Sequence, residues 1–105
     1  MSEKQLEKAL IYFKQNKFAE ALHISSKIFK KEPSNINAIL IASICCRELG
    51  RPDSAIKLIE RVVNLAPNFD EGILQRGITL FKLQKIEDSL NDFNKALSKN
   101  KANYD

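Results

Sequence analysis

The sequence predicts an all-α fold, an α-solenoid built from three copies of a helix–turn–helix unit. Its 105 residues divide into an initiator Met, three blocks of 34 residues and two residues at the end. Small and turn-forming residues recur at this interval: Ala21 and Ala55 are followed by Ser89, and Pro33 is followed by Pro67. Helical periodicity alone does not place such residues 34 positions apart, so the blocks are structural repeats.

Each block contains two stretches in which apolar residues recur at i, i+3, i+4 and i+7, the pattern of an amphipathic helix. The six predicted helices cover residues 3–15, 19–31, 37–49, 53–65, 71–83 and 87–99. Gly50 is the expected C-terminal stop of the third helix, and Asp53 is the expected N-cap of the fourth. Because the connections have only three to five residues, consecutive helices must be antiparallel neighbours.

The 34-residue unit resembles the tetratricopeptide repeat. The residues that carry the resemblance are Ala9, Tyr12, Ala21 and Pro33 in the first block, Gly50, Ala55 and Pro67 in the second, and Gly77, Leu80, Phe93 and Ala96 in the third. The chain departs from the family where Gln5, Ile39 and Ile73 replace an aromatic residue, and where Lys101 replaces the closing Pro. The resemblance covers essentially the whole chain and is specific for the fold, whereas it says little about function.

The resemblance implies one domain over residues 1–105, with repeats at 2–35, 36–69 and 70–103. It also implies a right-handed superhelix whose concave face is lined by the first helix of each repeat. Residues 104–105 fall where a further repeat would begin, so the chain is expected to stop at a repeat boundary. Small residues are expected where the two helices of a repeat cross, because two helices can approach to roughly 8 Å only where the side chains between them are small.

Few residues of this chain could carry chemistry, and we expect no enzyme, no catalytic residue, no metal and no cofactor. His23 is the single histidine and has no Cys or Asp spaced to form a triad. Cys45 and Cys46 point about 100° apart on a helix and cannot hold one metal together. The glycines are isolated, so no loop can cradle a phosphate.

Charge and hydropathy exclude two further classes of partner. The net charge of +4 is spread among acidic residues, and no stacking aromatics accompany the lysines of the first block, so specific nucleic-acid binding is not expected. No apolar run approaches the roughly 20 residues that cross a bilayer. The N-terminus is no signal peptide, and the two cysteines fit a reducing compartment, so we expect a cytoplasmic location and no membrane partner.

The first helices carry a wider apolar surface than packing within one repeat requires. Beside the core positions runs a second stripe, interrupted at Arg47, that the resemblance assigns to the concave face. Its nine positions, which form the predicted partner-binding groove, are Leu6, Leu10, Phe13, Leu40, Ile44, Arg47, Leu74, Ile78 and Phe81. An open stripe would bind a peptide or an amphipathic helix. The alternative is that adjacent first helices bury it between them.

One known class of ligand can be tested against the sequence. Tetratricopeptide co-chaperones hold the C-terminal carboxylates of chaperones with Lys and Asn side chains of their first helices. The matching positions here are Leu6, Leu10, Ile41, Glu71 and Gln75. None is cationic and Glu71 would repel a carboxylate, so the sequence predicts no clamp for a chaperone tail.

The sequence therefore predicts a protein–protein interaction module with an apolar concave groove. Two alternatives stay open. The chain could be the N-terminal helper domain of a larger protein such as an enzyme, or it could self-associate weakly through its last helix.

Overall fold

The computed structural model describes residues 2–102 of the chain, with side chains to residue 98. Its six helices are α1 (Ser2–Lys14), α2 (Phe18–Lys31), α3 (Ile36–Glu48), α4 (Pro52–Leu65), α5 (Asp70–Lys82) and α6 (Ile86–Ala102). No strand occurs among these residues, and the prediction of an all-α solenoid is confirmed. The further repeat predicted to begin at residues 104–105 lies outside the described part.

Every helix begins one residue earlier than the sequence predicts. At α4 this makes the prediction of Asp53 as N-cap wrong, because Arg51 takes the cap position and Pro52 opens the helix. Proline is favoured there, since its fixed φ suits the first turn and its missing N–H would have had no partner within the helix. Asp53 lies instead in the first turn, where its negative charge faces the positive end of the helix dipole.

The turn inside each repeat has the same left-handed conformation. The residues after the first helices, Asn16, Gly50 and Gln84, have φ values of 61°, 80° and 63°. In the first repeat the amide of Lys17 donates to the Tyr12 carbonyl at 2.9 Å, which closes a Schellman motif, and the equivalent bonds recur in the other two. The predicted stop at Gly50 is therefore one of three equivalent turns.

Small residues lie where the two helices of each repeat cross. The residues that fill these crossings are Ala9, Ala21, Ser43, Ala55, Gly77 and Ser89, and all of them are buried. A Cβ on Gly77 would approach the ring of Phe93 to 2.9 Å, so only glycine fits there without movement of α6. The hydroxyl of Ser89 donates to the Ile86 carbonyl at 2.8 Å, which satisfies a polar group in the crossing.

Helix α3 forms the centre of the molecule. It packs against α4 within its repeat and against α1, α2 and α5 of the neighbouring repeats. Eight of its thirteen residues are buried. Ile41 and Cys45 belong to one core cluster with Ala9 and Ala21, whereas Ile39 belongs to a second cluster on the α4 side. The first helices of all three repeats therefore lie next to one another around α3.

Candidate functional site

The candidate site is the face formed by α1, α3 and α5, the first helices of the three repeats. Helix α3 contacts α1 on one side and α5 on the other. Equivalent stripe positions are 34 residues apart on the three helices. The nine residues predicted to form the groove are distributed over these three helices, three on each.

The structure leaves most of the stripe accessible to solvent. Leu10 and Phe81 are exposed, with 37% and 57% of their surfaces open. The side chains with intermediate exposure are Leu6, Phe13, Leu40, Ile44, Leu74 and Ile78. The eight apolar residues are thus all at least partly exposed, and Arg47 alone among the nine is buried.

Part of the stripe also supports the core. Leu6 and Phe13 pack against the cluster that contains Ile41, and Leu40 packs against the cluster around Ile39. These side chains therefore contribute to the core and stay partly exposed. The open edges are concentrated at the two ends, at Leu10 of α1 and Phe81 of α5.

Arg47 crosses from α3 to α5. Its Nη1 donates to Gln75 Oε1 at 2.7 Å and approaches Thr79 Oγ1 and the Gln75 carbonyl oxygen, each at 3.5 Å. Its Nε lies 3.4 Å from Glu48 Oε2, and 7% of the side chain is exposed. The guanidinium group therefore bridges the second and third repeats.

From the sequence, Arg47 is expected to be a groove residue that interrupts the apolar stripe, and its network with α5 is not predicted. A signal was present in the third repeat. Gln75 and Thr79 lie 34 positions after Ile41 and Cys45, so two polar residues stand on α5 where α3 has core residues. Polar residues four apart on a core face indicate a buried polar partner on the adjacent helix.

The positions that would hold a terminal carboxylate carry no cation. Ile41 is buried in the core, and Leu6 is partly covered. Glu71 Oε2 accepts a hydrogen bond of 2.6 Å from Gln75 Nε2. Gln75 thus joins the Glu71 carboxylate to the Arg47 guanidinium and is engaged on both sides.

The other reactive side chains lie apart from one another. No group of three His, Cys, Asp or Glu residues within the described chain is arranged to hold a metal ion. Cys45 and Cys46 are free and buried, and burial raises the pKa of the Cys45 thiol to about 12. A thiol with that pKa is almost fully protonated at neutral pH and is a poor nucleophile. His23 is exposed on α2, whereas both cysteines are buried on α3.

Within residues 2–102, none of the helices combines the length and the hydropathy that a membrane span needs.

The fold and this face define the class of protein, a tetratricopeptide-repeat solenoid. A family model described as anaphase-promoting complex, cyclosome, subunit 3 matches residues 2–62, more than half of the chain. The chain belongs to this family of tetratricopeptide-repeat proteins.

Similar proteins include co-chaperones. The chain is 24% identical over 105 residues to Hsp70-Hsp90 organizing protein 3 of Arabidopsis thaliana, and it covers 19% of that protein. It is 27% identical over 97 residues to the TPR repeat-containing protein MJ0263 of Methanocaldococcus jannaschii, and it covers 30% of it. The chain therefore spans less than a third of the length of these relatives.

Solved structures show the same fold. The first TPR of Spaghetti (RPAP3) bound to the HSP90 peptide SRMEEVD has a TM-score of 0.84 at 26% identity, covering 90% of this chain and 75% of that one. The NMR structure of the first TPR domain of the human RPAP3 protein has a TM-score of 0.86 at 26% identity. The match covers 93% of this chain and 77% of that one. The family and these relatives point to a module for protein–protein interaction.

Proposed function

We propose that this chain binds a peptide or an amphipathic helix of a partner protein in the groove formed by α1, α3 and α5. One observation carries the proposal: apolar side chains stay partly exposed in register on three successive first helices. Exposed apolar surface of this extent marks an interaction site. Covering three or four such side chains contributes about 1.5–3 kcal/mol each before the costs of ordering, which is enough for a micromolar complex.

The test begins with a random 16-residue peptide library displayed on phage and selected on the protein. The decisive variant replaces Leu10 and Phe81 by Glu, because these stripe side chains are the most open and their loss disturbs the core least. We expect the selected peptides to bind this double variant at least about thirtyfold more weakly, since two buried apolar side chains are lost.

The matched control is Ile11→Glu. Ile11 follows Leu10 in α1 and is 56% exposed, but it lies about 100° further round the helix and outside the stripe. It should leave peptide binding unchanged, and circular dichroism should show the same helix content for all variants. Selected peptides that bind the Leu10/Phe81 variant as tightly as the wild type would refute the groove as the binding site.

We further propose that the groove does not clamp a terminal carboxylate, although a structural relative holds an HSP90 peptide. The absence of a cation at Leu6, Leu10, Ile41, Glu71 and Gln75 supports this. The peptide SRMEEVD, measured by fluorescence anisotropy with a free and with an amidated C-terminus, should bind equally weakly in both forms. A tenfold preference for the free acid would contradict the proposal.

The chain supplies no catalytic group in this proposal, and a partner protein takes the place of a substrate. As part of a longer protein, the three repeats would act as a helper domain. Their groove would bring a partner to the rest of that protein. The test above applies equally in that setting, because it addresses only the groove.

A second candidate is weak self-association through α6, favoured by an exposed apolar face on that helix. Leu90 and Leu97 are 52% and 63% exposed, and Ile86 is 44% exposed. Analytical ultracentrifugation over a concentration series should show a dimer that Leu90→Glu with Leu97→Glu abolishes. A monomer at every concentration would exclude this candidate.

A further inference from the structure

We propose that Arg47 forms an anion subsite at the centre of the groove, where it takes an acidic side chain that the partner carries between its apolar residues. This inference rests on the proposed function and names the chemistry of the partner. It is carried by the geometry of one buried guanidinium group.

The guanidinium group is only partly used by the protein. Its Nη1 makes all three contacts with α5, to Gln75 and Thr79, and its Nε faces Glu48. Among residues 2–98, no side chain or carbonyl group accepts a hydrogen bond from Nη2. Arg47 is only 9% exposed as a residue, and Nη2 is not among the fully buried side-chain atoms that lack a partner, so this donor still reaches solvent and is open to a ligand. A partner that covers the groove would displace water from Nη2, and a carboxylate of that partner would replace the lost acceptor.

The charge of this group is also incompletely balanced. Glu48 makes one contact with Nε at 3.4 Å, longer than the 2.7–2.9 Å of a strong charge-assisted bond, and its own side chain is 38% exposed. The carboxylate of Glu71 on α5 accepts a hydrogen bond from the amide of Gln75. A buried cation with a weak counter-ion gains from a second carboxylate, because the surroundings have a low dielectric constant.

The neighbours of Arg47 determine what kind of anion fits. Arg47 occupies the stripe position that Phe13 has on α1 and Phe81 has on α5, and Ile44 precedes it by one helical turn. A bare inorganic anion would leave these apolar side chains in contact with water. A carboxylate flanked by apolar residues satisfies Arg47 and covers the stripe at the same time, so an Asp or Glu of a peptide is the ligand that matches.

The experiment compares selections from the 16-residue phage library on the wild type and on Arg47→Met, which keeps an unbranched apolar stem but removes the guanidinium group and its charge. The wild type should enrich peptides with Asp or Glu between apolar residues, and the variant should enrich apolar peptides without that preference. For a synthesised peptide from the first selection, replacing the acidic residue by its amide should weaken binding to the wild type about tenfold and to the variant not at all.

Two further variants keep the test informative if Arg47→Met does not fold. Glu48→Gln removes the competing carboxylate and should strengthen binding of the acidic peptide about threefold, while its amide counterpart is unaffected. Glu20→Gln makes the same change of charge on the exposed surface of α2 and should have no effect. A purely structural role of Arg47 predicts no difference between these two variants.

The outcomes separate this inference from the proposed function. Peptides that need Leu10 and Phe81 but bind equally well as acid and amide would overturn the anion subsite and leave the groove in place. Failure to enrich any peptide that depends on Leu10 and Phe81 would overturn both.

Discussion

One residue in each repeat sets the geometry of the turn between its two helices. These residues are Asn16, Gly50 and Gln84. All three adopt the left-handed conformation that ends the first helix and lets the second one begin, although only Gly50 does so without strain. An L-residue in this region is destabilised by about 1–2 kcal/mol, and asparagine tolerates it better than glutamine. The three turns are thus equal in shape and unequal in energy.

Glycine at the third turn should therefore stabilise the protein. We expect Gln84→Gly to raise the free energy of unfolding by about 1 kcal/mol, measured by urea denaturation. Asn16→Gly should have a smaller effect, and Gly50→Ala should lower the free energy by about 1 kcal/mol, although nothing lies within 4 Å of its added Cβ. An unchanged stability of Gln84→Gly would show that the turn is not strained.

Arg76 and Asp92 form an ion pair where the second repeat has apolar residues. Arg76 Nε and Nη2 each donate to one oxygen of Asp92 at 2.8 Å, and 4% of the Asp92 side chain is exposed. The hydrogen bond with Asp92 raises the pKa of Arg76 above its ordinary value. Their counterparts 34 positions earlier are Ala42 and Leu58, so the pair joins α5 to α6 at an ordinary packing position.

Replacing one partner of this ion pair should lower the free energy of unfolding more than replacing both by apolar residues. Asp92→Ala should lower the free energy of unfolding by about 2–3 kcal/mol, because it leaves the partly buried Arg76 without its counter-ion. The double change of Arg76→Ala with Asp92→Leu copies the second repeat and should recover most of that loss. Thermal denaturation of the wild type and these variants measures the difference. Equal losses in the single and double variants would show that the charges are not coupled.

At the scale of the helix, the close approach of α3 and α4 depends on small side chains. Ala55 is fully buried at their crossing, against the surface that includes Ser43. We expect Ala55→Leu to lower the free energy of unfolding by about 1–3 kcal/mol, since the larger side chain forces the helices apart. Ser54→Leu, one position earlier and exposed, is the control and should change stability by less than about 0.5 kcal/mol. Chemical denaturation of both variants separates packing from helix propensity.

The helices could be predicted well because their signals are local and repeated. Each predicted helix lies within one residue of its observed start, and the small residues at the crossings are buried as the repeat pattern requires. The bridge from Arg47 to Gln75 could not be predicted in the same way, because it joins residues 28 positions apart that break the repeat. Contacts that follow the repeat are visible in one sequence, whereas contacts that depart from it need the structure.

At the scale of the whole molecule, stability should be greatest at α3 and decrease toward both ends. Helix α3 is the only helix described here that packs against four others, whereas α6 has contact with α5 alone. Amide hydrogen exchange followed by NMR should therefore show the slowest exchange in α3 and the fastest helical exchange in α6, since terminal repeats open locally before the centre. Uniform protection across all helices would indicate that the three repeats unfold as one unit.

The bridge from Arg47 to α5 also fixes the order of the repeats. A solenoid of identical units could gain or lose a unit without harm, because every junction would be the same. In this chain, a second copy of residues 36–69 inserted after the first would place Ile41 and Cys45 beside Arg47, where Gln75 and Thr79 now accept its hydrogen bonds. The inserted junction would bury a cation against apolar groups, so this array is not free to lengthen by simple duplication of its middle repeat.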